Sequence, residues 1–107
     1  MELIQYAIVL VNLDPTMGSE IKKTRPCVIV SPDEMNKYLN TIVIAPMTTN
    51  LKVYPTRVLV RHNNKKGMIA IDQIRTIDKT RVIKKFDRLT LSEIQRCKDI
   101  IRETFVD

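Results

Sequence analysis

The apolar residues of the chain fall in short runs that are rich in β-branched side chains, and polar segments containing Pro, Gly or Asn separate these runs. Runs of this length and composition are typical of β-strands. Residues 7–13 are almost continuously apolar, which predicts a strand buried on both faces. Residues 56–61 alternate apolar and polar side chains, which predicts one exposed face. The predicted strands cover residues 7–13, 26–31, 41–46, 56–61, 68–72 and 82–86, and residues 74–77 continue or follow the fifth strand.

Two segments carry signals for the start of a helix. Ser31 precedes Pro32 and an acid, which predicts a short helix capped by Ser31 and ending near Leu39. Thr90 and Glu93 form a capping-box pattern at the start of a second, C-terminal helix. The apolar face predicted to pack this second helix on the sheet consists of Leu91, Ile94, Cys97, Ile101 and Phe105.

The order of these elements predicts a mainly β (α+β) fold. Many short strands followed by one helix favour a small, strongly curved, SH3-like antiparallel β-barrel with a C-terminal helix. Residues 63–67, Asn-Asn-Lys-Lys-Gly, are predicted to form a hairpin turn. At 107 residues the chain is expected to be a single domain spanning 1–107. No apolar run has the length of a membrane helix and no signal peptide is evident, so a cytoplasmic protein without a membrane partner is expected.

Cysteine and histidine give little reason to expect a metal or redox site. Cys27 and Cys97 are far apart and lie inside apolar patterns, so both are predicted to be reduced core residues. The one histidine, His62, precedes the predicted turn and is interpreted as a solvated surface residue. No residues have metal-ligand spacing, and two glycines cannot make a phosphate-binding Gly-rich loop. We expect neither a metal nor a cofactor.

Charge is distributed unevenly along the chain, whose formal net charge is +6. Residues 22–88 carry fifteen Lys and Arg against five acids, whereas residues 1–21 carry three acids and no base. A basic middle of this kind favours a polyanionic partner. Three loops at predicted strand ends hold the donor-rich side chains: residues 19–25, residues 47–50 and residues 72–76.

Four motifs, in the same order, resemble the MazF/PemK family of bacterial toxins. They are LVNLDPTMGSEIKKTRPCVIVSPD, IVIAPMT, YPTRV and IDQIRTIDKTRV, and the resemblance runs from about Ile8 to Phe105. It implies an SH3-like barrel that works as a homodimer and is held inactive by a cognate antitoxin. It also implies a ribosome-independent and metal-independent endoribonuclease acting on single-stranded RNA. In that chemistry a ribose 2′-hydroxyl attacks the adjacent phosphorus, which leaves a 2′,3′-cyclic phosphate and a 5′-hydroxyl.

The resemblance also implies roles for individual residues. Arg25 and Thr48 match the family's catalytic pair, and Asp72 matches an aspartate that one branch uses in catalysis. Because Ala70 stands where that branch has an arginine, we assign the chemistry to Arg25. A guanidinium stays protonated, so Arg25 is expected to stabilise phosphate charge rather than to accept a proton. Glu20 is the only acid of its loop and is the hypothetical helper in removing the 2′ proton.

Further residues of these loops are expected to contact RNA. Ser19 matches a pocket residue of the family, Gln73 and Arg75 resemble substrate-contacting positions, and Lys22 and Lys23 are expected to steer the strand. The remaining candidates for RNA contact are Thr24, Thr49 and Asn50.

Two other classes of function stay open from the sequence. One is a toxin resembling CcdB, which has a similar barrel and traps gyrase without nuclease activity. The other is a non-catalytic RNA-binding barrel, which usually needs exposed aromatic platforms. The basic loop KKTRP followed by Thr48 favours the ribonuclease. Its expected partner is an acidic MazE-like antitoxin with a disordered segment that folds on binding.

Overall fold

The computed structural model describes residues 2–107, which form one seven-stranded antiparallel sheet and two α-helices. The strands are β1 (Ala7–Asn12), β2 (Thr24–Ile29), β3 (Thr41–Thr48), β4 (Arg57–His62), β5 (Lys65–Ala70), β6 (Arg75–Asp78) and β7 (Val82–Arg88). The helices are α1 (Asp33–Tyr38) and α2 (Leu91–Ile101). Short 3₁₀ turns lie at Ile71–Gln73 and Lys79–Arg81, and Arg102–Val106 continues α2 as a π-helix.

Strand β3 is the centre of the sheet because it pairs with three neighbours. Its first half pairs with β6, its middle with β2 and its end with β5. The path of the sheet is β4-β5-β3-β2-β1-β7. The sheet is strongly curled, as the predicted barrel requires, because His62 of β4 contacts Phe86 of β7 and these strands are the two ends of the path. The prediction of a mainly β fold with a C-terminal helix is confirmed.

The core lies on both faces of the central strands. On β1, Ile8 packs in a cluster with α2, whereas its neighbour Val9 packs in a second cluster on the opposite face. On β3, Ala45 packs in the cluster with α2 and its neighbour Ile44 packs in the second cluster. Because successive side chains of a strand point to opposite faces, continuous apolar runs supply both clusters. The sequence-based expectation of doubly buried strands is therefore confirmed.

The bounds of the strands agree with the predicted ones to within three residues, but the cap of α1 was predicted wrongly. The helix begins at Asp33, with Pro32 rather than Ser31 in the capping position. Ser31 is buried, and its hydroxyl donates to the Asn36 side chain and accepts the Val43 N–H. These contacts join α1 to β3 and take the hydroxyl away from the first turn of the helix.

The hairpin turn is shorter than predicted. Only Asn63 and Asn64 form it, with φ values of 51° and 61°, and β5 already begins at Lys65. A two-residue turn with both residues in the left-handed region matches the twist of the flanking strands, and Asn tolerates that region well. Gly67 therefore lies within the strand rather than in the turn.

The packing face of α2 also differs from the prediction at its two ends. Ile94 and Cys97 are buried, but Leu91 is 82% exposed and Phe105 is 59% exposed. Glu93 occupies the sheet-facing position in the first turn, so Leu91, two residues earlier, points away from the sheet. Phe105 lies in the π-helical extension, whose wider turns break the α-helical spacing.

The cysteines are as predicted. Cys27 and Cys97 are both free and buried, and burial raises the pKa of each thiol to about 12.

Within residues 2–107, no helix is long and apolar enough to cross a membrane.

A buried carboxylate joins α2 to the sheet. Glu93 completes the predicted capping box with Thr90, and its other oxygen accepts the backbone N–H of Arg61 at 3.1 Å. Burial acts to raise the pKa of Glu93, but these hydrogen bonds outweigh it and hold the pKa below its ordinary value.

We expect Glu93→Gln to lower the free energy of unfolding by about 1–3 kcal/mol at pH 7. The two carboxylate oxygens of Glu93 accept the N–H groups of Thr90 and Arg61, whereas the amide has one oxygen and places its NH₂ donor against the other N–H. Since the folded-state pKa of Glu93 is lowered, the wild type loses this stabilisation as the pH falls through that value. The difference should therefore shrink in urea unfolding between pH 7 and pH 3. The exposed Glu103→Gln variant is the control. A difference independent of pH would contradict this account.

Candidate active site

Side chains from the second half of the chain hold the β1–β2 loop, residues 13–23, which has no regular secondary structure. The side chain of Gln73 accepts the N–H of Ile21 at 2.7 Å and donates to the carbonyl of Ser19 at 3.4 Å. One amide side chain thus satisfies a donor and an acceptor of the loop backbone. Gln73 is therefore placed to fix the loop.

Two arginines hold the start of the same loop. Arg75 donates to the carbonyl of Leu13 at 3.0 Å, and Arg81 donates to the carbonyl of Asp14 at 2.7 Å. The carboxylate of Asp14 accepts the N–H of Lys23 at 3.1 Å, and Lys23 has a φ of 73°. A non-glycine residue in the left-handed region persists only where its surroundings fix it. The loop thus reaches β2 in a defined conformation.

Arg25 and Thr48 are brought together at the edge of the sheet. Cys27 pairs with Pro46 across β2 and β3, so extension of this register by two residues sets Arg25 opposite Thr48. Both line an open groove of about 330 Å³, which we call the catalytic groove. It is lined by Leu10, Arg25, Pro26, Met47, Thr48, Thr49, His62, Asn63, Lys65, Lys66, Gly67 and Phe86.

Local hydrogen bonds orient the two candidate catalytic side chains. The Nε of Arg25 donates to the carbonyl of Lys22 at 3.2 Å, which holds the guanidinium at the end of the loop. The four N–H groups on its terminal nitrogens are the ones suited to two phosphate oxygens. The hydroxyl oxygen of Thr48 accepts the N–H of Asn50 at 3.2 Å, so its own O–H remains a donor.

The catalytic groove combines positive charge with an apolar floor. Arg25, Lys65 and Lys66 line it, and Lys84 lies over the ring of Phe86 at 5.2 Å from the centroid. Cations clustered in a concave site attract a polyanion more strongly than the same charges on a flat surface. The groove is thus suited to an extended phosphodiester chain.

Five other predicted site residues line a second cavity of about 380 Å³, which we call the Gln73 cavity. They are Ser19, Glu20, Asp72, Gln73 and Arg75. Ile21, Pro46 and Ile74 complete the lining of this cavity. The carboxylate of Glu20 accepts the N–H of Met17 at 2.6 Å within its own loop. The structure therefore does not bring Glu20 together with Arg25 and Thr48, and its catalytic role stays a prediction.

Asp72 is already engaged in an ion pair. Its carboxylate accepts from Arg57 at 2.9 and 3.4 Å and from the hydroxyl of Thr56 at 2.9 Å. Burial acts to raise the pKa of Asp72, but these bonds outweigh it, so the pKa lies below its ordinary value. A carboxylate held in this way is a poor proton acceptor, in keeping with the assignment of the chemistry to Arg25.

Of the remaining predicted contacts, Thr49 lines the catalytic groove, and Lys22, Lys23, Thr24 and Asn50 are exposed. The sequence reasoning missed Lys65 and Lys66, and it interpreted His62 as a surface residue, although all three line the catalytic groove. The hairpin itself was predicted from its asparagines. The sequence does not show toward which side of the sheet this hairpin folds, so the contribution of its residues to the groove was not predicted. Within the described residues, no group of three or more His, Cys, Asp or Glu side chains is placed to hold a metal.

Comparison with known proteins assigns the chain to a family. The sequence profile of the PemK-like, MazF-like toxins of type II toxin–antitoxin systems matches residues 4–105. The chain belongs to the PemK/MazF family. The endoribonuclease MazF of Staphylococcus saprophyticus is 34% identical over 102 residues, which cover 87% of this chain and 85% of that protein. The endoribonuclease MazF of Staphylococcus epidermidis is 36% identical over 93 residues, which cover 81% of this chain and 78% of that protein.

Solved structures of PemK/MazF proteins share the fold. MazF from Deinococcus radiodurans superposes with a TM-score of 0.83 at 20% identity, covering 94% of this chain and 93% of that one. A mycobacterial endoribonuclease in complex with its cognate antitoxin superposes with a TM-score of 0.79 at 18% identity, covering 94% and 91%. The strand arrangement that forms the catalytic groove is therefore that of the family fold.

The contacts of Gln73 predict that it acts on the loop. We expect Gln73→Ala to speed hydrogen exchange at the Ile21 amide, because that N–H loses its acceptor, and to lower the free energy of unfolding by about 1–3 kcal/mol. Heteronuclear NMR in D₂O measures the exchange. Gln95→Ala is the control, since Gln95 is an exposed amide on α2 bonded to Asp99. Unchanged exchange at Ile21 would exclude Gln73 as the anchor of the loop.

Proposed function

We propose that this protein is the toxin of a type II toxin–antitoxin system and cleaves single-stranded RNA endonucleolytically. The observation that supports this proposal is the placement of Arg25 and Thr48 together on one basic groove in a PemK/MazF chain. The cleavage is sequence-specific and independent of ribosomes and metal. The 2′-hydroxyl attacks the adjacent phosphorus, which gives a 2′,3′-cyclic phosphate and a 5′-hydroxyl.

Arg25 and Thr48 stabilise the transition state of this reaction. Negative charge grows on the non-bridging oxygens as the fifth bond to phosphorus forms, and the terminal N–H groups of Arg25 suit two of those oxygens. The hydroxyl of Thr48, oriented by the Asn50 N–H, donates a further hydrogen bond. Donors fixed before the reaction need no reorganisation when the charge develops.

The RNA strand follows the cations on both sides of this pair. Lys65 and Lys66 line the groove on the hairpin side, and exposed Lys22 and Lys23 flank it on the loop side. Phosphate attraction of this kind supplies affinity without sequence information. Sequence preference comes from polar side chains near the path of the strand, with Ser19, Gln73 and Arg75 of the Gln73 cavity as candidates.

The partners follow from the same charge distribution. An acidic antitoxin segment, disordered when free, covers the groove and competes with RNA for Arg25, Lys65 and Lys66. The toxin acts as a homodimer, in keeping with the family resemblance.

The test is incubation of the purified protein with a long unstructured RNA in EDTA, followed by primer extension to map the cuts. We expect discrete cuts by the wild type, and Arg25→Ala and Thr48→Ala should each lower the rate by about 10²–10³-fold. Exposed Arg102→Ala on the C-terminal extension serves as the control for loss of charge. Product ends should resist a 5′-phosphate-dependent exonuclease. Uncut RNA, or cuts unaffected by both groove variants, would contradict the proposal.

A further inference from the structure

Among the described residues that line the catalytic groove, His62 stands out chemically. The other ionisable side chains there are the guanidinium of Arg25 and the ammonium groups of Lys65 and Lys66. These are charged donors without an accepting lone pair. The neutral residues are hydroxyl, amide and apolar side chains. Histidine is the one side chain of this set that ordinarily exchanges a proton between pH 5 and pH 8.

The hairpin fixes the place of His62 at the edge of the groove. His62 is the last residue of β4 and pairs with Lys65, and the two-residue turn that joins them is tight. Its half-buried ring meets Phe86 edge-on, with the centroids 4.8 Å apart and the planes at 68°. Backbone pairing and aromatic packing together restrict the imidazole more than a solvated surface position would.

His62 also borders a second environment, which contains carboxylates. A cavity of about 370 Å³ is lined by His62 together with Asp87 of β7 and Glu93 of α2. The charged residues that line these two cavities with His62 are Arg25 from β2, Arg61 from β4, Lys65 and Lys66 from β5, Asp87 and Arg88 from β7, and Glu93 from α2, and Lys84 from β7 lies over the ring of Phe86 that His62 contacts.

The geometry points to His62 as the general base of RNA cleavage, an inference that rests on the proposed ribonuclease function. The proton of the 2′-hydroxyl passes to the unprotonated ring nitrogen of neutral His62. The electron pair left on the 2′-oxygen forms the bond to phosphorus. The bond from phosphorus to the 5′-oxygen breaks, and that oxygen keeps the electron pair and takes a proton from water. The imidazolium then returns its proton to solvent, so none is consumed.

This assignment separates two tasks that the sequence had placed on one loop. Arg25 and Thr48 hold phosphate charge, and His62 on the opposite hairpin removes the proton. Glu20, the alternative base, lines the Gln73 cavity, and its carboxylate accepts the Met17 N–H. His62 borders the same groove as Arg25 without any movement of the loop.

The experiment measures single-turnover cleavage of an oligonucleotide carrying a mapped cut site, from pH 5 to pH 8.5. We expect the wild-type rate to fall as the pH is lowered, because a protonated imidazole cannot accept the 2′ proton. His62→Gln should be about 10²–10⁴-fold slower at pH 7.5 and should lack this acidic limb. Lys98→Gln, an exposed change on α2, is the control.

A second substrate distinguishes a base from an acid. When sulfur replaces the bridging 5′-oxygen, the leaving thiolate needs no proton, so loss of a general acid is rescued and loss of a general base is not. We expect the defect of His62→Gln to persist with this substrate. Rescue would overturn the assignment of His62 as the base.

Further measurements keep folding and function apart. His62→Gln should bind a non-cleavable 2′-deoxy analogue of the site with unchanged affinity. If that variant is misfolded, rescue of His62→Ala by free imidazole decides in favour of the inference, and absence of rescue decides against it. A wild-type pH profile in His62→Gln, or loss of the acidic limb in Glu20→Gln instead, overturns the inference while the ribonuclease function stands. Failure of the wild type to cut RNA ends both.

Discussion

The candidate site depends on one geometric constraint, the sharing of β3 among three neighbouring strands. Because β6, β2 and β5 all pair with this strand, the end of β3 meets both the start of β2 and the β4–β5 hairpin. Thr48 is the last residue of β3, and Arg25 and His62 lie near the ends of the other two elements. The β2–β3 register sets Arg25 opposite Thr48, and the β4–β5 hairpin adds His62 to the same groove.

Hydrogen bonds from polar side chains add a second constraint to this strand pairing. Leu13 and Ile21 of the β1–β2 loop pack in or against the core, and side chains from the segment after β5 bond the loop backbone. Gln73, Arg75 and Arg81 therefore stabilise the loop. They belong to the motif IDQIRTIDKTRV, in which the family resemblance implies substrate contacts for Gln73 and Arg75. The two roles are compatible, because a side chain that orders the loop also determines which donors the loop presents to RNA.

The proposed mechanism assigns charge stabilisation and proton removal to different residues. A guanidinium and a hydroxyl fixed by backbone contacts offer hydrogen bonds to phosphate without titrating near neutral pH. In the proposed mechanism a separate imidazole, that of His62 packed on the ring of Phe86, accepts the proton of the 2′-hydroxyl. The cations of the hairpin add long-range attraction for the strand. Each function is assigned to a residue type whose chemistry suits it.

The sequence by itself determined the strands, the C-terminal helix and the pairing of Arg25 with Thr48, since these rest on local periodicity, capping residues and family motifs. Even so, the cap at Ser31 and the packing of Leu91 were assigned wrongly, because local pattern does not show which polar group a buried position will bond. Phe105 was assigned wrongly because the π-helical turns at the end of α2 break the α-helical spacing. Only the tertiary structure decided that Glu20 and Asp72 lie apart from Arg25, and that Lys65, Lys66 and His62 lie beside it. These neighbours are set by the curl of the sheet, which depends on contacts between residues far apart along the chain.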